Sequence, residues 1–189
     1  RVGDAAFVGC RMSEINLPDE LEQVGVSAFS RCSELTSVTF PPAVHTVDVG
    51  AFSSCTRLAV VILPQLQRIS RWTFGQCRSL TSVTFPRGLE EVGPSAFVGC
   101  SSLTSVTFPE GLQQVGWRAF SGCSSLTSVT FPEGVREVES EAFSDCSRLV
   151  EVTLPQGCSY TQTGERASFP PSCTITFAAP AQRYERLRF

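Results

Sequence analysis

The apolar residues of this chain recur in a unit of about 23 residues that combines two spacings. In "LTSVTFPEGLQQVGWRAFSGCSS", residues 103–125, Val106 and Phe108 are two positions apart and therefore share one face of a predicted short strand. The Pro-Glu-Gly that follows is turn chemistry and ends the strand. Leu112 and Val115 are then expected to point back inward. Each unit thus predicts one strand, one turn and one compact return segment.

The same unit recurs almost unchanged along most of the chain. Seven cysteines are spaced by 22 or 23 residues, and each has a phenylalanine three residues before it. The cysteines are Cys10, Cys32, Cys55, Cys77, Cys100, Cys123 and Cys146. A fixed period of this length is typical of a solenoid, in which neighbouring units bury a core that no single unit could form.

We expect a parallel stack of eight strands, with the "A-F-S-G-C" piece of each unit forming one short helical turn. The predicted strands are residues 13–17, 36–40, 59–63, 81–85, 104–108, 127–131, 150–154 and 174–177. Residues 1–155 hold the repeats. Residues 156–177 interrupt the pattern and then restore strand alternation, as expected of a C-terminal cap. Residues 178–189 are predicted to be an exposed tail with three arginines.

The repeat "C-x-x-L-x-x-V-x-F-P-x-G-L-x-x-V-G-x-x-A-F-x-x-C" resembles the BspA-like class of leucine-rich repeats over about residues 1–155. The resemblance implies an α/β repeat fold, a right-handed curved solenoid with a parallel β-sheet on one face and short helical turns or irregular returns on the other. It also implies a protein that is not an enzyme. Many members of the class are surface proteins that bind host or matrix proteins.

Composition narrows the classes of partner. The formal net charge is −3, which gives no electrostatic reason to expect binding to nucleic acid or to an anionic membrane. No segment approaches the roughly 18 consecutive apolar residues of a membrane span. The basic residues are all arginine, so no lysine is available for Schiff-base or general-base chemistry. The chain opens in mid-repeat, so we expect it to be part of a longer or processed protein, and its compartment stays open.

The candidate chemistry is sparse, and no cofactor is predicted. The stacked cysteines supply sulfurs in a line, whereas a metal site needs thiolates that converge, so we interpret the seven repeat cysteines as buried free thiols. Cys158 and Cys173 lie outside this column of stacked cysteines, and a disulfide between them is an open alternative. His45, the single histidine, is expected to be exposed, without an acidic residue to orient it. No catalytic or metal-binding residue is predicted.

The outward positions of the predicted strands carry the candidate site. In most units they hold serine and threonine, as in Ser37 and Thr39 or Ser82 and Thr84, but Val60 and Ile62 replace the hydroxyls in one unit. We predict a protein-binding site centred on this apolar pair with the four hydroxyls around it. Trp72 and Trp117 are expected to be exposed on the opposite side.

The function predicted from the sequence is therefore a non-catalytic protein-binding or scaffolding solenoid, an interaction module or an accessory subunit of a larger assembly. A cell-surface adhesin is the alternative. The outward serine and threonine side chains form regular columns across the predicted sheet, and these leave an ice- or carbohydrate-binding surface as a third candidate. The identity of the protein partner does not follow from the sequence.

Overall fold

The computed structural model describes residues 1–179 of the 189-residue chain, and within them it contains fourteen short strands and no helix. No described segment is a helix suited to crossing a bilayer. The strands are β1 (Gln23–Val24), β2 (Ser37–Thr39), β3 (Thr46–Val47), β4 (Val60–Ile62), β5 (Arg68–Ile69), β6 (Ser82–Thr84), β7 (Glu91–Val92), β8 (Ser105–Thr107), β9 (Gln114–Val115), β10 (Ser128–Thr130), β11 (Glu137–Val138), β12 (Glu151–Leu154), β13 (Ser159–Tyr160) and β14 (Thr174–Phe177).

Each coil of the solenoid contributes one two-residue strand and one longer strand, and like strands of successive coils pair in parallel. The longer strands form two sheets in the orders β2-β4-β6-β8 and β10-β12-β14. The two-residue strands form two more, β1-β3 and β5-β7-β9-β11-β13. We call these the long-strand and short-strand faces. The long-strand ladder is interrupted between β8 and β10.

The strand predictions hold for seven of the eight predicted segments, from residues 36–40 onward. Residues 13–17 form no strand, although the Thr36 amide does donate to the Ser13 carbonyl at 3.1 Å. The short-strand face was not predicted. Two residues per strand are too few for an alternating pattern to show, and these strands exist only because neighbouring coils supply their partners.

The predicted helical turn is wrong. Around each phenylalanine, alternate backbone amides donate to carbonyls of the next coil, as Phe97 does to Ala119 at 2.8 Å and Gly99 to Ser121 at 2.7 Å. The residues two before and two after the phenylalanine have positive φ, for example Ser95 at 56° and Gly99 at 69°. Left-handed residues at this spacing prevent a right-handed helix from propagating, because each reverses the local twist. We call this third side the turn face.

Ten of the positive-φ residues are not glycine, which makes the turn face strained at identifiable positions. We expect Arg31→Gly to stabilise the protein by about 0.5–1 kcal/mol, because relief of the left-handed conformation exceeds the entropy lost with a glycine. Arg31 is exposed with φ 60°, and the equivalent residue is a glycine in three other coils, at Gly9, Gly99 and Gly122. Urea unfolding of Arg31→Gly measures this. Arg87→Gly, at an exposed position without positive φ, is the matched control and should destabilise; equal signs for the two would contradict the prediction.

The core is built from files of like residues stacked over one another. Eight phenylalanine rings stack in one file with neighbouring ring centroids 5.1–5.8 Å apart. They are Phe7, Phe29, Phe52, Phe74, Phe97, Phe120, Phe143 and Phe169. Aliphatic residues and cysteines of every coil, together with a second set of phenylalanines that includes Phe85 and Phe108, fill the remaining space. The core therefore runs the length of the solenoid.

The C-terminal segment 156–177 continues the solenoid as one modified coil. β13 pairs with β11, β14 pairs with β12, and the Phe169 ring stacks 5.4 Å from Phe143. The division of the chain at residue 155 into repeats and cap remains a prediction. The predicted tail lies outside the described residues from residue 180 onward.

Candidate functional site

The long-strand face displays an apolar pair at β4. Val60 is 52% exposed and Ile62 is 57% exposed, whereas Val61 between them is buried. This alternation follows from strand geometry, because the inward position is occupied by the core file of valines and the neighbours on either side must then face water. The sequence therefore placed both side chains on the correct face.

The hydroxyl residues predicted to surround this pair lie on the two neighbouring strands. Ser37 pairs with Val60 and Thr39 pairs with Ile62 across β2 and β4. On the other side Thr84 pairs with Ile62, and Ser82 lies two residues earlier on the same face of β6. All four hydroxyl residues are exposed. The structure thus brings together the six residues of the predicted site, which we call the β4 patch.

The rest of the long-strand face is more polar than the β4 patch. β8 and β10 each present an exposed serine and threonine around a buried valine, as β2 and β6 do. Further along, Val150 and Phe177 are exposed apolar residues at 60% and 48%. They belong to the C-terminal coils and are separated from the β4 patch by the hydroxyl-bearing strands.

The repeat cysteines form a hydrogen-bonded ladder inside the solenoid. From Cys32 to Cys146, each thiol lies 3.1–3.3 Å from the backbone carbonyl oxygen of the phenylalanine in the preceding coil and donates to it. Those same carbonyls also accept the amide of the cysteine in their own coil. The sequence suggested only small apolar side chains here. The thiols also act as hydrogen-bond donors because the stacking of coils brings each sulfur over a carbonyl oxygen that has a free lone pair.

The burial of these sulfurs makes them poor nucleophiles. Desolvation raises the pKa of Cys55, Cys100 and Cys146 to about 12 each, and raises the pKa of Cys77 and Cys123 well above the usual value. The thiolate is the reactive form, so thiols of this kind are chemically inert at neutral pH. All nine cysteines are free thiols in the structure, including Cys158 and Cys173.

Other candidate groups are scattered. His45 is exposed, and its Nδ1 lies 3.1 Å from the hydroxyl of its own neighbour Thr46. Over residues 1–179 no three histidine, cysteine or acidic side chains are grouped so as to hold a metal ion. Trp117 is 37% exposed, as expected, but Trp72 is half-buried. Trp72 has φ 61° and packs over Gly75. It lies two residues before the phenylalanine of its coil, whereas Trp117 lies three residues before the phenylalanine of its own coil.

The family model of the BspA type leucine rich repeat region matches residues 1–97 and 67–175, in six copies. The chain belongs to the BspA-type leucine-rich repeat family. No curated protein matches the chain. The family match confirms the resemblance seen in the sequence, and the matched residues reach residue 175, within the modified C-terminal coil.

Solved structures of bacterial leucine-rich repeat proteins share the fold. A protein from Bacteroides ovatus is 19% identical with a TM-score of 0.56, over 94% of this chain and 75% of that one. A leucine rich cell surface protein from Faecalibacterium prausnitzii is 20% identical with a TM-score of 0.61, over 95% and 63%. One from Eubacterium ventriosum is 19% identical with a TM-score of 0.55, over 82% and 51%. This BspA-type chain spans between about half and three quarters of the length of these structures.

Proposed function

We propose that this BspA-type solenoid is a non-catalytic protein-binding module and that the β4 patch is where its partner binds. The observation that carries the proposal is the pair Val60 and Ile62, each more than half exposed, at strand positions that hold hydroxyl residues on both neighbouring strands. Two large apolar side chains side by side on a short parallel strand offer a rigid anchor, because the strand on each side holds the backbone in place.

The surroundings of the pair suit an interface of modest size. An apolar centre with a polar rim is the usual anatomy of a protein-binding surface, and Ser37, Thr39, Ser82 and Thr84 supply hydroxyl donors and acceptors at that rim. A stable interface buries about 800 Å² per partner, more than two side chains provide. The partner must therefore also contact neighbouring parts of the long-strand face.

The test replaces the apolar pair by the residues of the neighbouring strands. Val60→Ser combined with Ile62→Thr should reduce partner binding at least about tenfold, since burial of an aliphatic side chain is worth about 1.5–3 kcal/mol. Stability should change little, because both side chains are exposed. Immobilised protein would capture partners from the source organism, quantitative mass spectrometry would identify them, and binding of the purified partner would give the affinity.

The matched control is Val26→Ser combined with Val49→Thr. These two valines are 42% and 43% exposed and lie at the edge of the turn face, away from β4. A protein retained by the control and lost by the β4 variant supports the proposal. A partner retained equally by both variants, each with an intact fold, would place the binding site elsewhere.

The role of accessory subunit or scaffold in a larger assembly is part of the same proposal, and the adhesin alternative uses the same surface. The hydroxyl files on β2, β6, β8 and β10 support the third candidate, binding of ice or carbohydrate. The β4 variant separates these candidates. It restores the hydroxyl files, so it should preserve or strengthen binding to such a ligand while it weakens binding to a protein.

A further inference from the structure

We propose that a groove beside β2 binds an extended, positively charged segment of the same partner that occupies the β4 patch. The inference rests on the function proposed above and adds the chemistry of the partner. The groove has a volume of about 490 Å³. One wall holds Glu14, Leu17 and Asp19, and the other holds Ser37, Thr39 and Phe40. We call it the β2 groove.

The β2 groove exists because one strand pairing of the long-strand face is missing. β2 pairs with β4 on one side only. On its other side lies the segment 13–17, and among the described residues the one backbone hydrogen bond between this segment and the coil of β2 runs from the Thr36 amide to the Ser13 carbonyl. Ile15 is only partly buried, whereas Val38, at the equivalent position of the next coil, is 1% exposed. The first coil is therefore not closed against β2 on this face.

The open edge of β2 offers backbone groups to a further strand. The Phe40 amide donates to the Ile62 carbonyl of the next coil at 3.5 Å, so the backbone of Phe40 is directed at the β4 side. Successive residues of an extended strand direct their backbone groups to opposite sides, so the amide and carbonyl of Thr39 are directed at the groove. An edge of this kind pairs with an extended segment, which adds to the sheet as one more strand.

The β2 groove is also acidic, and its carboxylates are uncompensated. Glu14 and Asp19 are exposed, stand at the two ends of one wall, and take part in none of the ion pairs formed by the described residues. Glu20 and Glu22 follow, and positions 12–30 contain no basic residue. No arginine or histidine lines the groove. The segment that complements this surface therefore carries positive charge.

The β2 groove is continuous with the β4 patch. Ser37 and Thr39 line the groove, and the same two residues pair with Val60 and Ile62. A partner that covers the apolar pair thus lies next to the groove, and a segment paired with the edge of β2 needs no linker to reach it. The added strand supplies part of the contact area that two apolar side chains do not provide.

The test uses a synthetic peptide of five residues that alternates lysine and valine, with both ends blocked. Its three cations share one face of an extended chain and span about 13 Å. In a titration of isotope-labelled protein followed by NMR, the amide signals of Ser37 and Thr39 should shift. Glu14→Gln combined with Asp19→Asn should weaken binding about five- to tenfold, since each exposed ion pair contributes modestly.

The matched control removes the same charge from a similar groove. Glu110 and Glu133 line a groove of about 470 Å³ between β8 and β10, on the same face but separated from the β4 patch by β6. Glu110→Gln combined with Glu133→Gln should leave the peptide affinity unchanged. Equal affinities for the two double variants, or shifts confined to other faces of the solenoid, would overturn the proposal.

Two altered peptides test the binding mode. Replacement of the lysines by glutamate should abolish binding, because the carboxylates of the groove would repel the peptide. Methylation of the backbone amides keeps the charges but removes the donors of an added strand, so it should also abolish binding. A methylated peptide that binds as well as the unmodified one would contradict strand addition at β2.

The β4 variant, Val60→Ser combined with Ile62→Thr, separates this inference from the function proposed above. It should bind the peptide with unchanged affinity, because the peptide occupies only the β2 groove. The purified partner should lose affinity in the β4 variant and, about five- to tenfold, in Glu14→Gln combined with Asp19→Asn. Partner affinity lost only in the β4 variant would overturn the groove and leave the β4 patch standing, and the reverse result would overturn the β4 patch.

Discussion

Replacing one ring of the phenylalanine stack, Phe97→Ala, should lower the free energy of unfolding by about 3–5 kcal/mol. Phe97 is fully buried, lies between Phe74 at 5.5 Å and Phe120 at 5.2 Å, and meets the edge of Phe85 at 5.7 Å. The loss combines the transfer of the ring with a cavity that neither neighbouring coil can fill, because each coil is held by backbone hydrogen bonds on three sides. Urea unfolding followed by circular dichroism measures it.

The stack supplies its own matched control. Phe7 is the first ring of the same file, stacks on Phe29 alone at 5.2 Å and is 39% exposed. Phe7→Ala should therefore cost clearly less than Phe97→Ala, and His45→Ala, at an exposed side chain, should be nearly silent. Equal losses at positions 7 and 97 would contradict the difference in burial between the terminal and the internal ring.

The second large effect is a loss of stability in alkali. The buried thiols have pKa values of about 12 in the folded protein for Cys55, Cys100 and Cys146, against about 9 in the unfolded chain. Below pH 9 these thiols are protonated in both states and do not affect stability. Between pH 9 and 12 the unfolded chain binds fewer protons than the folded one, so stability falls as pH rises, by about 1.4 kcal/mol per unit for each thiol.

These three thiols alone predict a slope of about 4 kcal/mol per pH unit, steep for a protein of ordinary stability. Cys77 and Cys123, whose pKa values burial also raises well above the usual value, make the slope steeper. The chain contains no lysine and only two tyrosines, so its nine cysteines are most of the side chains that titrate in this range. Urea midpoints at pH 8, 9, 10 and 11, under a reductant, would measure the slope. Cys100→Ala should reduce it by about 1.4 kcal/mol per unit. A flat profile up to pH 11 would show that the sulfurs are not buried as thiols.

The outward direction of the β4 patch was predictable because strand alternation is local: once Val61 faces the core, Val60 and Ile62 face water. Its rim was predictable because a fixed repeat length puts equivalent residues of successive units opposite one another, as in the pairing of Ser37 with Val60. The identity of the partner depends on the partner's own surface as well as on these residues, so it could not be predicted from the sequence.

The turn around each phenylalanine was predicted incorrectly because the local sequence "A-F-x-x-C" is compatible with a helical turn. Neighbouring coils offer carbonyls at every second residue, and satisfying them requires left-handed residues such as Arg118, at φ 53°. The strain is compensated by hydrogen bonds to the next coil, which do not exist within one unit. The half-burial of Trp72 has the same origin, since its place on the turn follows from that conformation.

The sequence by itself determined the repeat, its period, the parallel stack, the inward files of phenylalanine and cysteine and the outward β4 patch, because all of these follow from side-chain alternation and residue spacing. Only the tertiary structure decided the short-strand face, the left-handed turns and the thiol-to-carbonyl ladder. Each of these depends on a hydrogen bond or contact with a residue about 23 positions away, for which one unit carries no local signal.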